Sequence, residues 1–185
     1  MDEHYLTLFK DRDPIVKNGT TIRCMECGSI CSKEESFIID SKNVCSRCLF
    51  GDISPVKIYP IGFVSNKQER DNSDFGLFGK SQISRIELFP SQKQFMYKLE
   101  DERNLTIVYY LHKARPVRTR FKRGLDGKEV GIFASRTPDR LSRIGIQDVR
   151  LVKVEGTTLV VKGLDAINGT PVLDMKLKRI LCPFI

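Results

Sequence analysis

Ile146-Gln-Asp-Val-Arg-Leu-Val-Lys-Val-Glu155, then Gly156-Thr157, then Thr158-Leu-Val-Val-Lys162 read as two strands folded back on one another around a short glycine turn. Gly163 and Leu164 lead from this hairpin into Asp165-Ala-Ile-Asn-Gly-Thr-Pro-Val-Leu-Asp-Met-Lys176 and an apolar tail. Upstream, Leu105 to Leu111 is another β-branched and aromatic strand, ending at His112. Ile83 to Phe89 sets Ile83, Arg85, Glu87 and Phe89 against Ser84, Ile86 and Leu88, the alternation of a strand with one dry face. Ile58-Tyr-Pro-Ile-Gly-Phe-Val64 is an apolar strand whose Pro60 points to an edge or first position. Asn66 to Lys80, polar and glycine-rich, reads as a mobile loop; after Ser91, Phe95, Met96 and Leu99 fall at helical spacing and predict a core-facing stripe. Strands recur about every 8 to 12 residues with no helices alternating to cover a parallel sheet. The expected class is therefore mainly β, an antiparallel barrel or sandwich. Neither a Gly-x-Gly-x-x-Gly fingerprint nor a Walker loop occurs, which argues against the familiar nucleotide folds.

A chain of 185 residues with 41% hydrophobic and 29% charged residues suits a soluble globular protein, with room for one core domain and a small module. No apolar run approaches the roughly 20 residues that span a bilayer. The opening Met-Asp-Glu-His-Tyr is acidic where a signal peptide is basic, so the expected location is the cytoplasm, with no membrane contact.

The net charge of +8 is unevenly spread. His112 to Gly145 holds 10 Lys and Arg against 3 acids, which is +7. Such a concentration attracts polyanions and is relieved by a partner's phosphates, although a charge run is also what an ordinary solvated loop looks like. Arg118, Arg120, Lys122 and Arg123 alternate partly, so only some can face one anion; together with Arg143 they are the candidate contacts to a nucleic acid.

Four of the six cysteines fall as Cys24-Met-Glu-Cys27 and Cys45-Ser-Arg-Cys48. Two such pairs point to a closed, structural zinc site, since thiolates three positions apart on a turn reach one tetrahedral ion and the second pair completes its shell. Gly28 follows the first pair, where the turn needs a residue that accepts a positive φ. A redox disulfide or a reduced pair of turns is the competing reading, Cys31 is a possible substitute ligand for Cys27, and Cys182 reads as a buried apolar residue. So small a module needs the metal's binding energy to fold. Residues 1–57 carry 8 bases and 9 acids, net −1 before the thiolates add more, so positioning or interaction suits the module better than polyanion binding. The expected organisation is a polar, partly disordered lead-in at 1–19, a zinc-ribbon-like module at 20–55 and a β domain at 56–185.

Gly131-Ile-Phe-Ala-Ser-Arg-Thr-Pro-Asp-Arg140, Ile144-Gly145 and Asn168-Gly-Thr-Pro-Val-Leu-Asp-Met-Lys176 resemble the TsaA-like (TrmO) methyltransferases. Tyr59-Pro-Ile-Gly62, Tyr110-Leu-His112 and Ala114-Arg-Pro116 fit the same family pattern in the same order, and the resemblance runs from about Ile58 to Lys176. It implies a small antiparallel β-barrel that binds S-adenosylmethionine near a homodimer interface and methylates the exocyclic amine of threonylcarbamoyl-adenosine beside the tRNA anticodon. Carried over by position, Arg115, Phe133, Ala134, Arg136, Arg140 and Gly145 would hold the cofactor, with Gly169, Thr170, Pro171 and Lys176 on the facing segment. His112, Asp165 and Asp174 are the candidates for the proton leaving the amine or for facing the sulfonium. Arg136 or Arg115 could pair with the cofactor carboxylate, or with a tRNA phosphate.

The family's usual Arg-Pro-Asn-Pro-Ile-Gly reads here Arg140-Leu-Ser-Arg-Ile-Gly145, a more flexible loop with an added cation at Arg143. The usual Asp-Ile-Lys-Pro-Tyr reads Asp174-Met-Lys-Leu-Lys178. A different acceptor with the same chemistry, or a zinc-containing nucleic-acid-binding adaptor without activity, are the alternatives. Asn168-Gly-Thr-Pro171 also has the composition of a plain turn, and Asp174 with Lys176 that of a surface pair.

Overall fold

The computed structural model describes residues 21–67, 82–124 and 126–178. The lead-in 1–19, most of the expected loop at 66–80, Cys182 and the apolar tail lie outside the described residues. The chain divides into two compact units between Ser54 and Pro55.

The first unit is two short hairpins and a turn of helix. β1 (Thr21–Arg23) pairs with β2 (Ile30–Ser32), and β3 (Ser36–Ile39) with β4 (Lys42–Cys45), followed by α1 (Ser46–Phe50). Asp40 and Ser41, at φ +46° and +67°, make the tight turn of the second hairpin, where the strand twist asks for left-handed residues. The Met25 amide donates to the Asn43 carbonyl at 2.8 Å and joins the hairpins. Beneath them the buried core is only Cys24, Val44 and Cys45, edged by Cys31, Ile39 and Leu49. That is too little apolar surface to hold a fold by itself.

The second unit contains a closed antiparallel barrel. Its strands are β5 (Gly62–Ser65), β6 (Ile83–Leu88), β7 (Asn104–Tyr110), β10 (Ile144–Glu155), β11 (Thr158–Lys162) and β12 (Pro171–Leu177), and a separate hairpin of β8 (Arg120–Lys122) and β9 (Glu129–Gly131) is inserted between β7 and β10. The order around the barrel is β10, β11, β6, β5, β12, β7. Closure removes the sheet edges that would otherwise invite pairing with other chains. Leu105, Ile107 and Tyr109 of β7 point inward and Thr106, Val108 and Tyr110 outward, the period-two pattern expected of a strand with one dry face. On β6 the inward set is Ser84, Ile86 and Leu88. Each fully buried Ile or Leu contributes about 2 kcal/mol of burial free energy. β10 and β11 turn at Gly156, whose φ is +64°, and a bulge between Leu151 and Lys153 bends β10 around the barrel. Among the described residues no helix is long and apolar enough to cross a membrane.

Two local expectations change. The strand from Ile58 begins only at Gly62, because Pro60 has no amide to donate; pairing is joined by the Ile61 amide, at 2.8 Å from the Val172 carbonyl. The helical stripe becomes a 3₁₀ turn at Pro90–Phe95 and a second at Leu99–Asp101, interrupted by Lys98 at φ +59°. Three residues per turn do not keep Phe95 over Leu99. Met96 is buried, and Phe95 is 75% exposed.

At Gly62 the backbone of β6 approaches so closely that a Cβ would lie 2.3 Å from the Glu87 carbonyl oxygen and 2.7 Å from Leu88 Cα. Backbone cannot step aside as a side chain does. Gly62→Ala is expected to lower the unfolding free energy by about 1–3 kcal/mol; a denaturation midpoint equal to that of the wild type would refute this close approach.

Candidate functional site

The first site is a cluster of sulfurs. Cys24 and Cys27 flank the turn after β1, with Gly28 at φ +74° donating its amide to the Cys24 carbonyl at 3.0 Å. Cys45 ends β4 and Cys48 lies in α1. All four Sγ atoms lie within 4.8 Å of one another, with Cys24 to Cys48 and Cys27 to Cys45 each at 3.9 Å. Metal–sulfur bonds of about 2.3 Å in a tetrahedron put sulfurs about 3.8 Å apart, so the donor set fits a tetrahedral dication. The Cys45 amide donates to Cys24 Sγ at 3.3 Å. Amide donors of Cys27 and Cys45 draw the Cys24 thiol down to about 6, while the sulfurs of Cys27 and Cys45 push Cys48 up to about 12. One thiolate forms readily and the fourth resists, the conflict that a central cation resolves. Cys31 stands apart, its thiol donating to the Ile22 carbonyl at 3.5 Å.

The second site is one end of the barrel, where β7 finishes and β10 begins. The Leu111 amide donates to the Arg143 carbonyl at 2.7 Å, and the Arg143 amide to the Arg140 carbonyl at 3.2 Å. The segment from Ile132 to Arg143 is thereby fastened beside His112. Arg140 donates its guanidinium to the carbonyls of Ile132 and Ser135 and closes the loop on itself. Arg115 is 3.4 Å from the Asp139 carboxylate, and its amide also donates to that carboxylate at 3.2 Å. Arg136 makes no hydrogen bond or ion pair with another described side chain, and Phe133 beside it is 82% exposed. Ala134 is exposed too.

Tyr109, inside the barrel, ties this loop to the facing segment. Its hydroxyl donates to the Asp165 carbonyl at 3.2 Å, and burial, aided by the charge of Asp165, pushes its ionisation up to about 12, so it remains a donor. Gly145 lies opposite it on β10, where a Cβ would sit 2.5 Å from the ring. The facing segment is fixed on its other side: the Gly169 amide donates to the Val64 carbonyl at 2.8 Å, the Val64 amide to the Thr170 carbonyl at 2.9 Å, and Asn66 donates to the Ala166 carbonyl at 2.8 Å. Thr170 is buried and Pro171 opens β12.

His112 carries the buried side-chain polar atom without a partner among the described residues, Nδ1. Burial, with the charge of Lys113, holds its pKa below 6.5 and the ring neutral. An unpaired buried nitrogen costs about 1–3 kcal/mol and suits a polar ligand group.

The remaining predicted residues lie elsewhere on the second unit. Asp174 and Lys176 sit on the outer wall of β12, paired with each other at 2.7 Å and well exposed. Arg120 and Lys122 project from β8 into solvent, and Arg118 is exposed just before it. Arg123 is held by Asp126 through two hydrogen bonds, of 3.0 and 2.5 Å, across the hairpin turn. Arg143 has φ +53° and an exposed side chain. The left-handed region costs a residue with a Cβ about 1–2 kcal/mol. Tyr109, Asp139 and Asn66 were not singled out in the sequence. The inward register of β7 was a signal for Tyr109; nothing local marks Asp139, 24 residues from its partner Arg115.

The chain matches the family model described as the tRNA-methyltransferase O N-terminal domain over residues 66–178. It is 33% identical over 119 residues to an S-adenosyl-L-methionine-binding protein of Archaeoglobus fulgidus, covering 63% of this chain and 85% of that protein. It is 34% identical over 95 residues to a human tRNA (adenine(37)-N6)-methyltransferase, of which it spans only 22%. The solved structure of TrmO from Pseudomonas aeruginosa superposes with a TM-score of 0.55 at 25% identity, over 68% of this chain and 57% of that one.

The neutral imidazole has a consequence for pH. Because the folded ring protonates less readily than an unfolded histidine at 6.5, the unfolded chain takes up more protons on acidification; stability from this group is present above 6.5 and is lost as pH falls through the depressed folded value. His112→Gln is therefore expected to flatten the fall in unfolding free energy between about pH 7 and 5, read by denaturant titration. An identical slope in the variant would refute the neutral assignment.

Proposed function

Because the chain belongs to the tRNA-methyltransferase O N-terminal domain family, we propose that it is an S-adenosylmethionine-dependent methyltransferase acting on tRNA, with the exocyclic amine of threonylcarbamoyl-adenosine beside the anticodon as acceptor. The observation that carries the reading is the gathering of His112, the Ile132–Arg143 loop and the Asp165 segment at one barrel end, through the Leu111 amide and the Tyr109 hydroxyl.

When bound, S-adenosylmethionine supplies a sulfonium-activated methyl group. That group would let an amine displace the sulfide in line, the nitrogen–carbon bond forming as the sulfur–carbon bond breaks, and leave this chain's residues to align the amine and accept its proton. Alignment is the main requirement, and holding the reacting atoms at near-attack distance lowers a barrier by about 7 to 11 kcal/mol in favourable cases. Arg136, exposed and with no hydrogen bond or ion pair among the described residues, though its charge helps to lower the Asp148 pKa, would hold the donor's carboxylate, and the exposed Phe133 would cover its apolar part. Arg115 and Arg140 keep the loop in shape through Asp139 and the carbonyls of Ile132 and Ser135. The neutral imidazole of His112 would take the leaving proton. Asp165, anchored by Tyr109, would face the sulfonium. Arg118, Arg120 and Lys122 form a separate exposed basic surface for the tRNA backbone, where they position without reading sequence. A homodimer and a cytoplasmic setting belong to the same reading and rest on the family.

For the cysteine cluster the reading is one structural zinc. Four thiolates on a dication carry net −2, so this unit is a poor polyanion contact by itself and folds around its metal.

Labelled donor incubated with tRNA bearing the threonylcarbamoyl group is expected to transfer its methyl to the nucleoside. Donor binding without transfer to any tRNA would overturn the substrate. Metal analysis is expected to find about one zinc per chain; Cys24→Ser should abolish it and expose the first unit to proteolysis while the barrel still melts as in the wild type. A full complement of zinc in that variant would remove Cys24 from the ligand set.

A further inference from the structure

Arg143 has a left-handed backbone, and its position in the loop explains why. Its amide donates back to Arg140 and its carbonyl accepts from Leu111, so this one residue both closes the turn after Arg140 and sets the register of β10 on β7. Glycine or asparagine would take that conformation with less strain. An arginine stands there instead, with its side chain in solvent and no hydrogen bond or ion pair to another described residue. Lys98, the other left-handed cation, differs: its ammonium lies 5.6 Å from the Tyr97 ring centroid. The neighbouring arginines of the same barrel end differ as well, since Arg140 is occupied by two carbonyls and Arg115 by Asp139. Among the described residues nothing accounts for the guanidinium at 143.

We infer that Arg143 is an acceptor-recognition residue, kept as a cation against its backbone preference in order to hold an oxyanion of the tRNA beside His112. The inference rests on the proposed tRNA methyl transfer and deepens it. The hydrogen bond from Leu111 to Arg143 puts this residue's backbone one position from His112 across the strand pair. Arg136, on the loop carrying Phe133, is the guanidinium assigned above to the donor, so Arg143 has a separate task. A guanidinium offers two parallel donors to one carboxylate or phosphate. The acceptor has both: the carboxylate of the threonylcarbamoyl group and the phosphates flanking the nucleoside.

Arg143→Gly and Arg143→Lys in the full chain separate these possibilities. Arg143→Gly is expected to raise the KM for tRNA at least about tenfold with kcat changed less than about threefold, to leave the calorimetric Kd for S-adenosylmethionine within about twofold, and to melt no lower than the wild type. Arg143→Lys should recover part of the tRNA affinity, because it restores the charge without the fork. Binding of tRNA with and without the threonylcarbamoyl group identifies the anion: loss on the modified tRNA alone assigns the carboxylate, and equal loss on both assigns a phosphate. A wild-type KM in Arg143→Gly overturns the inference while the methyltransferase reading stands, as does a lowered melting point with loss of donor binding, which would make the residue structural. Absence of any transfer to tRNA by the wild type overturns the reading, and this inference with it.

Discussion

Tyr109 can lie inside the barrel only because position 145 has no side chain. The ring fills the space that a Cβ on β10 would need, and from there its hydroxyl reaches the carbonyl of Asp165. Strand, facing segment and the start of β10 are thus held by one side chain. Gly145 is consequently more than a permissive point in a ligand loop: it is the condition for the contact that brings the two halves of the family motif together. β7 ends at Tyr110, paired with Ile144, which leaves His112 at the barrel's rim just past the strand's last pair.

Much of this architecture was legible because a strand writes its burial into every second residue. The Ile83–Leu88 alternation and the Gly156 turn needed no tertiary information. Phe95, Met96 and Leu99 were misleading because a three-residue stripe fits both a 3.6- and a 3.0-residue turn, and Pro90 and the left-handed Lys98 favour the tighter form. Pro60 announced an interruption of pairing but not which side of it would pair. The paired cysteines were legible for a different reason: chelation requires short spacings within each knuckle, so half of the geometry is local. The other half, Met25 joined to Asn43 and Cys45 to Cys24, comes only with folding.

The basic run between His112 and Gly145 shows what charge counting leaves out. Ten cations look alike in sequence. Once folded, Arg140 braces carbonyls, Arg115 holds Asp139, and Arg123 closes a hairpin on Asp126, so these three act first as structural struts. Such exposed pairs add little to stability, about 0–1 kcal/mol each, yet they decide which guanidinium groups remain available. The available ones are sorted in space: Arg118, Arg120 and Lys122 lie on or beside the inserted hairpin, Arg136 acts on Asp148 of β10, and Arg143 lies one position from His112 across the strand pair.

That sorting bears on how the loop could change its acceptor without losing its donor. Arg140, the Arg115–Asp139 pair and the Gly145–Tyr109 contact constrain the loop's backbone, whereas residues 141–143 occupy the turn leading into β10. A proline at 143 could adopt neither φ +53° nor the amide bond to Arg140, so the change from the family's usual residue redirects backbone as well as adding charge. Because the strain falls on a single residue bonded on both sides, the rest of the donor loop need not move to accommodate it. Divergence in what is methylated can therefore be confined to this turn, while the fold and the alignment of the reacting atoms continue to depend on the strand beneath.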